Sequence, residues 1–340
     1  VLGVTAVSRN YYITKSGRLA RQDNTLYFES AAEDGRVIKT PIPVADVDAL
    51  YLYGEIDLNT RLLNFLAQQS ISAHVFNYYG YYSGSYYPRE YLNSGFLLVQ
   101  QVTHYESKKR RLDVAREFVK AAAHGIQRNI AYYHNRGKEL TRWAQAIEIE
   151  ANAIEGVGDT AELMGIEGHI RHLYYEAFNE IIGDDFPFEK RVKRPPDNPV
   201  NALISFGNSL CYAACLAEIY RTQLNPLIAY LHEPGERRFS LALDLSEVFK
   251  PILVDRAIFR LLNQKMIQIN DFDQDVNYCY LKERGRRVFL KEWDERLNAT
   301  IQHRRLNRKV SYQRLIRLEC YKLIKHLTGM ETYEGFRAWW

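Results

Sequence analysis

The sequence predicts an α+β, multidomain protein, with a small N-terminal β domain over residues 1–94 and a larger all-α domain over residues 95–340. Near residue 95 the hydrophobic pattern changes from short alternating runs to long stretches with helical period. Turn residues punctuate the first part at short intervals and thin out in the second. A chain of 340 residues is also long for one core, so its length favours two domains.

In the N-terminal part, NYYIT, RLARQ and TLYFES read as short strands, parted by KSG and by an Asp23–Asn24 turn. RVIKTPIPV and DALYLYG add strands. A helix is expected from about Asn59 to Gln69, with Leu62, Leu63 and Leu66 on its apolar face. ISAHVFNYYG and the Tyr81–Tyr87 stretch return to extended structure.

From Leu97 onward the pattern is helical. QQVTHYESKKRRLDVAREFVKAAAHGIQRNIAYYHNR reads as one long helix, with Val114, Phe118, Ala121 and Ala122 at helical spacing. Lys138 to Ala153 continues it, and GVGD leads into TAELMGIEGHIRHLYYEAFNEII, capped by Asp159 or Thr160. DDFPFEKRVKRPPDNPV, with four prolines, is a surface loop. Three further helices are expected over Val200–Tyr220, Ser240–Leu262 and roughly Trp293 to Leu327.

Composition narrows the function classes. Lys plus Arg exceed Asp plus Glu by 45 to 41, a net +4 that is too small to establish a polyanion partner, so charge distribution decides. The 25 tyrosines suit sheet packing, a dimer interface or base stacking, with packing the simpler reading. Cys211 and Cys215 lie in one apolar run, while Cys279 and Cys320 are isolated. Without CxxC or zinc spacing, reduced thiols are expected. The first residues lack signal-peptide character and no stretch approaches membrane-span length, so a cytoplasmic protein without membrane contact is expected. HEPGE lacks the second histidine of a zinc protease, and no P-loop, GxGxxG or GxSxG occurs. Spacing alone leaves a paired-carboxylate glycosidase open, but the neighbouring arginines favour an anionic substrate.

The segment from Leu231 to Pro251, LHEPGERRFSLALDLSEVFKP, carries the most chemistry. His232 opens a Pro/Gly turn that leads to a helix with Asp244 and Glu247 three residues apart, hence on one face. An imidazole folded back onto clustered carboxylates is a ligand set for a divalent cation, and Arg237 and Arg238 add affinity for phosphate. The plainer alternative is a structural histidine and a first-turn Asp244 facing the helix dipole. Repulsion between Asp244 and Glu247 favours a cation. In GIEGHIRH, Glu167 sits between Gly165 and Gly168, each costing about 1 kcal/mol against alanine. Either helix packing at the glycines, with Glu167 paired to Arg171, or close approach of a ligand or nucleic acid explains them. Lys190, Arg191, Lys193 and Arg194 form a mobile cationic strip that is either solvated or phosphate-binding.

Taken in order, GIEGHIRHLYY, RPPDNPVNALISFGNSL and HEPGERRFSLALDLSEVFKPILVDR resemble the CRISPR-associated spacer-acquisition integrase, the metal-dependent nuclease common to most CRISPR systems. YYITKSGRLARQDNTLYFE resembles that family's opening hairpins, and the likeness runs from about Tyr12 to Leu327. It implies metal ligands at Glu167, His232 and Glu247, with Asp244 as a supporting acidic residue. Some family members carry aspartate where this chain has Glu247. The likeness also implies a dimerising β domain, a helical catalytic domain and a small ferredoxin-like CRISPR companion bridging two homodimers.

The set suits Mg²⁺ or Mn²⁺. The implied reaction is attack by the 3′-hydroxyls of a short DNA fragment (the protospacer) on the CRISPR repeat, with hydrolysis as the variant that uses water. Arg171, Arg237, Arg238 and Lys250 are candidate phosphate contacts near the metal, though Arg171 equally suits an ion pair with Glu167. QHRRLNRKVSYQRLIR supplies Arg304, Arg305, Arg308, Lys309, Arg314 and Arg317, and Lys108–Arg111 a second basic cluster, for duplex backbone or as solvated helix faces. A non-catalytic DNA-binding scaffold and a metal-dependent RNA nuclease are the alternatives.

Overall fold

The structure, a computed structural model, describes residues 9–32, 34–88, 92–183, 185–193, 195–236, 238–275, 278–303 and 305–338. The chain divides into two compact units, Val1–Tyr91 and Leu92–Trp340. Arg194, Arg237 and Arg304 lie outside the described residues.

The first unit runs β1 (Arg9–Ile13), β2 (Gly17–Gln22), β3 (Thr25–Ala31), β4 (Val37–Pro43), β5 (Val47–Leu52), β6 (Ile56–Asp57), α1 (Thr60–Gln68), β7 (Ser72–Phe76) and β8 (Tyr82–Tyr86). These form two four-stranded sheets, ordered β1-β5-β7-β8 and β4-β3-β2-β6. Asp23 turns the chain between β2 and β3 at φ 52°, a left-handed conformation that aspartate tolerates better than most residues. The parallel pairs β1–β5 and β5–β7 require a crossover, and α1 supplies it between β5 and β7. Asn59 caps α1 by accepting the Leu62 N–H, and Leu62, Phe65 and Leu66 pack into a core with Leu19, Leu26 and Leu50.

The second unit begins with α2 (Gly95–Glu106) and α3 (Lys108–His134), where one long helix was expected. Ser107 breaks it: the residue is extended (φ −82°, ψ 104°), and its hydroxyl accepts the Arg110 N–H to start α3. There follow α4 (Thr141–Ala153), α5 (Thr160–Glu176), α6 (Phe178–Ile182), α7 (Pro199–Tyr220), α8 (Ser240–Lys250) and α9 (Arg256–Asn263). Then come β9 (Phe272–Asp275), β10 (Tyr278–Leu281), α10 (Glu283–Asn298), β11 (Thr300–His303), β12 (Arg308–Ser311) and α11 (Tyr312–Leu327). The architecture is the expected β region followed by a helical one. The single helix expected over Trp293–Leu327 is instead α10, a hairpin and α11, with Asn307 at φ 47° in the turn.

Two further expectations are corrected. A stretch of spanning length does exist: α7 has 22 residues and mean hydropathy 1.4, but 89% of that apolar window is buried within the protein. It is a core helix, packed against α8, α11 and β10. Arg191 is not part of a mobile strip, because it donates to Asn201 Oδ1 (2.9 Å) and Ser205 Oγ (2.9 Å) on α7. All four cysteines are free and buried.

Helices α8 and α9 are joined by a π-helical turn, Pro251–Asp255, within the segment expected to be one helix. Pro251 has no N–H to give the carbonyl of Glu247, so the regular ladder cannot continue through it. The Asn129 amide from α3 caps the Pro251 carbonyl at 2.8 Å. The turn is also gripped from α7, where a Cβ on Gly207 would stand 2.5 Å from Val254 Cγ1 and 3.0 Å from Phe289. Gly207→Ala is therefore expected to destabilise the protein by about 1–3 kcal/mol through overpacking, read as a lower urea midpoint at unchanged slope.

Candidate metal centre

Three segments bring ionisable groups together. Helix α5 starts at Asp159, whose side chain accepts the Ala161 and Glu162 N–H groups, and it carries Glu167 and Arg171 one turn apart. The turn after α7 carries His232, and α8 carries Asp244, Glu247 and Lys250. Gly165 and Gly168 do not serve helix packing, since a Cβ at either meets nothing within 4 Å. They leave that face of α5 open beside Glu167.

Asp244 is fully buried, and both of its oxygens are used. Oδ2 accepts the Tyr230 and Leu231 N–H groups at 2.7 and 2.9 Å, while Oδ1 accepts His232 N–H and Nδ1–H at 3.0 and 2.7 Å. It thus binds the turn rather than its own helix dipole. A carboxylate can only accept, so His232 must carry a proton on Nδ1, and the neutral ring presents the lone pair of Nε2. Nε2 hydrogen-bonds to no group among the described residues. Burial pulls the His232 pKa down, but the Asp244 contact outweighs it and the net shift is upward.

Glu247 is buried and held by two cations. Arg171 Nη2 lies 2.7 Å from its Oε2, and Lys250 Nζ bonds its other oxygen. Burial pushes the carboxyl up, yet Lys250 and Arg171 prevail and hold it at about 2. Arg171 Nε also lies 3.6 Å from Glu167 Oε1, and Nη1 lies 3.8 Å from Asp255 Oδ2. Repulsion between Asp244 and Glu247 is therefore no argument for a metal here, because Asp244 is met by N–H donors and Glu247 by two cations. Arg171 pairs with both Glu167 and Glu247.

Among the described residues no three His, Cys, Asp or Glu groups stand close enough to hold a cation as they are. In kind, however, the donors fit a hard divalent ion: an oriented imidazole, a carboxylate that stays ionised, and a partly exposed glutamate. Arg171 and Lys250 supply the positive charge such an ion would replace.

Other residues took roles that sequence reasoning missed. Arg111 does not belong to a free basic cluster. Its Nε donates to the Tyr230 carbonyl at 2.8 Å, and its Nη2 pairs with Glu233 at 2.8 Å, which also receives the Tyr105 hydroxyl. Arg238 is exposed and donates to the Glu233 carbonyl at 2.8 Å, bracing the same turn. Arg317 is paired with buried Glu218 at 2.5 Å, which removes it from the basic strip. Arg305 and Arg308 are exposed on the β11–β12 hairpin, with Arg305 3.8 Å from Glu334. The HEPGE motif contained Glu233, but nothing local marked Arg111 as its partner.

Asp255 was also unmarked. Burial raises its carboxyl to about 7, against an ordinary value of 3.8, although Arg171 and Lys250 oppose the shift. The folded protein holds this proton to higher pH than the unfolded chain, so the group draws stability down as pH rises from about 4 to about 7. Above that range its effect is constant. The stability of the metal-free protein relative to Asp255→Asn should therefore fall across that window and level off beyond it, as measured by urea denaturation at stepped pH.

The family described as CRISPR associated protein Cas1 matches residues 11–295. A relative from Thermodesulfovibrio yellowstonii, called a CRISPR-associated endonuclease Cas1, is 51% identical over 98% of this chain and 100% of its own length. A solved Cas1 protein from Thermotoga maritima superposes with TM-score 0.83 at 40% identity, covering 96% of this chain and 99% of that one. A casposase bound to integration product shares the fold, with TM-score 0.85 at 20% identity over 97% of this chain and 93% of that one. By sequence match and by fold, this chain belongs to the CRISPR-associated Cas1 family.

Proposed function

We propose that the chain is a metal-dependent DNA endonuclease and integrase that inserts short DNA fragments as new spacers into a CRISPR array. The observation that supports this most is the gathering of Glu167 and Glu247 on one buried guanidinium, beside a histidine whose Nδ1 is committed to Asp244. Glu167, His232 and Glu247 would hold Mg²⁺ or Mn²⁺, which when bound polarises the scissile phosphate. Asp244 fixes the tautomer and direction of His232. Lys250, beside Glu247, is placed to meet a phosphate oxygen as a point charge. In the integration reaction a fragment 3′-oxygen forms a P–O bond as a repeat 3′-oxygen leaves, so the number of phosphodiesters is conserved. The open glycine face of α5 suits close approach of a nucleic-acid backbone next to Glu167.

The β unit is assigned the homodimer contact, a reading supported by its exposed Val37, Ile38, Tyr78 and Tyr79. The small ferredoxin-like CRISPR companion is expected to bridge two such dimers. Of the basic residues, Arg305, Arg308 and Lys309 on the β11–β12 hairpin keep the exposure that duplex contacts need.

Glu167→Ala and His232→Ala should each lower strand transfer into a repeat duplex by more than about a hundredfold, with DNA affinity retained. The readout is a gel-based integration assay across a Mn²⁺ titration. Metal-dependent cleavage surviving in both variants overturns the site. Binding without any cleavage by the unaltered protein makes it a scaffold, and faster turnover of RNA makes it an RNA nuclease. Neutralising Arg305 and Arg308 to glutamine should flatten the salt dependence of duplex binding by about 0.9 in log–log slope per phosphate contact removed.

A further inference from the structure

The second unit holds a carboxylate oxygen that nothing in its surroundings satisfies. Asp255 Oδ2 is buried and accepts no hydrogen bond among the described residues. It belongs to the last residue of the π-helical turn, a departure from regular helix that tends to occur where function demands it. The nearest cationic group is Arg171 Nη1, at 3.8 Å, too far for a hydrogen bond. Arg171 stays at that distance because Glu247 holds its Nη2 at 2.7 Å.

We infer that Asp255 is a positioning residue, the second dock for the Arg171 guanidinium when a divalent cation claims Glu247 and Glu167. The inference rests on the proposed metal centre. As the structure stands, Arg171 is the counter-charge to the very carboxylates a cation would need. A guanidinium cannot be deprotonated to make way, so it has to be moved and paired elsewhere. A buried guanidinium without a partner is costly, and a carboxylate with an unused oxygen across a gap of 3.8 Å is the acceptor within reach.

The surroundings are built to hold that dock in place while Arg171 shifts. The Asn129 amide donates to both the Tyr174 hydroxyl and the Pro251 carbonyl at 2.8 Å, and its Oδ1 accepts Arg256 Nε at 2.7 Å. Gly125 of α3 and Gly207 of α7 bring two helices hard against the same turn. Asp255 is thereby fixed to the core, and the flexible partner is the arginine. Without the carboxylate, a displaced Arg171 would fall back on Glu247 and compete with the cation.

The test uses the full-length chain, with Mn²⁺ affinity from titration calorimetry and the melting temperature of the metal-free protein at pH 8. Asp255→Asn should bind Mn²⁺ about tenfold more weakly than the unaltered protein, yet melt at the same or a higher temperature without metal, since it removes a buried negative charge whose Oδ2 has no hydrogen-bond partner among the described residues. A purely structural residue would instead lower the metal-free melting temperature. Wild-type Mn²⁺ affinity in Asp255→Asn, a lowered metal-free melting temperature, or failure to fold each overturns the inference. His232→Ala separates it from the reading on which it rests: that variant should lose Mn²⁺ binding through a lost ligand. If the unaltered protein binds no Mn²⁺, or His232→Ala binds it unchanged, the metal centre itself fails and the inference falls with it. If both behave as expected and only Asp255→Asn does not, the metal centre stands and the dock alone is rejected.

Discussion

Arg171 is the interaction on which the centre of the second unit depends. Its guanidinium touches Glu167 one turn earlier on α5, Glu247 on α8 and, more loosely, Asp255 at the end of the π turn. Carboxylates buried without a counter-charge would protonate or push the helices apart. A single planar cation with several donors holds α5 against the α8–π–α9 segment, and Lys250 together with it keeps Glu247 ionised, its carboxyl held at about 2. Lysine in its place would offer a point charge but no fork to span separate carboxylates. The same contact that holds these helices together is the one the proposed metal would have to disturb.

Asp244 works by a different physical route. Its charge is met by three backbone N–H groups and one imidazole N–H, not by a side-chain cation. Because the N–H donors belong to consecutive residues, 230 to 232, the carboxylate sets both the path of the turn and the direction of His232. Arg111 and Glu233 brace the outer side of that turn. The histidine is thus aimed by contacts at its back, leaving the other ring nitrogen without a hydrogen bond among the described residues.

Much of this was legible in the sequence, for reasons that also mark the limits. The change of hydrophobic period near residue 95 reports how each part buries its apolar face, so the order of β region and helical region could be read. His232, Asp244 and Glu247 announce themselves because a turn and a helix bring near neighbours in sequence together. Glu167 is distant, and its flanking glycines hinted at something without saying what; only the family likeness implied a metal-binding role for it. Asp255 looked like an ordinary polar residue at the end of an apolar run. Its situation depends on Pro251 widening the helix and on Arg171 from another element. The break at Ser107 and the β11–β12 hairpin were hidden by helix-compatible residues on either side, with one serine and one asparagine carrying the local signal. The parallel pairing of β1, β5 and β7 is non-local, and strand composition does not encode it.

Helix α7 has a consequence for how the chain is made. A segment of 22 residues with the apolarity of a membrane span is harmless only once other parts cover it. Its partners α8, β10 and α11 all lie downstream, the last ending at Leu327. During synthesis from the N-terminus, α7 leaves the ribosome long before α11 exists. Until then a sticky apolar rod is exposed, open to chaperones, to other nascent chains and to aggregation. The first unit contains its own core, whereas the second cannot cover α7 until α11 has been made. Truncations that remove α11 should therefore act first on solubility.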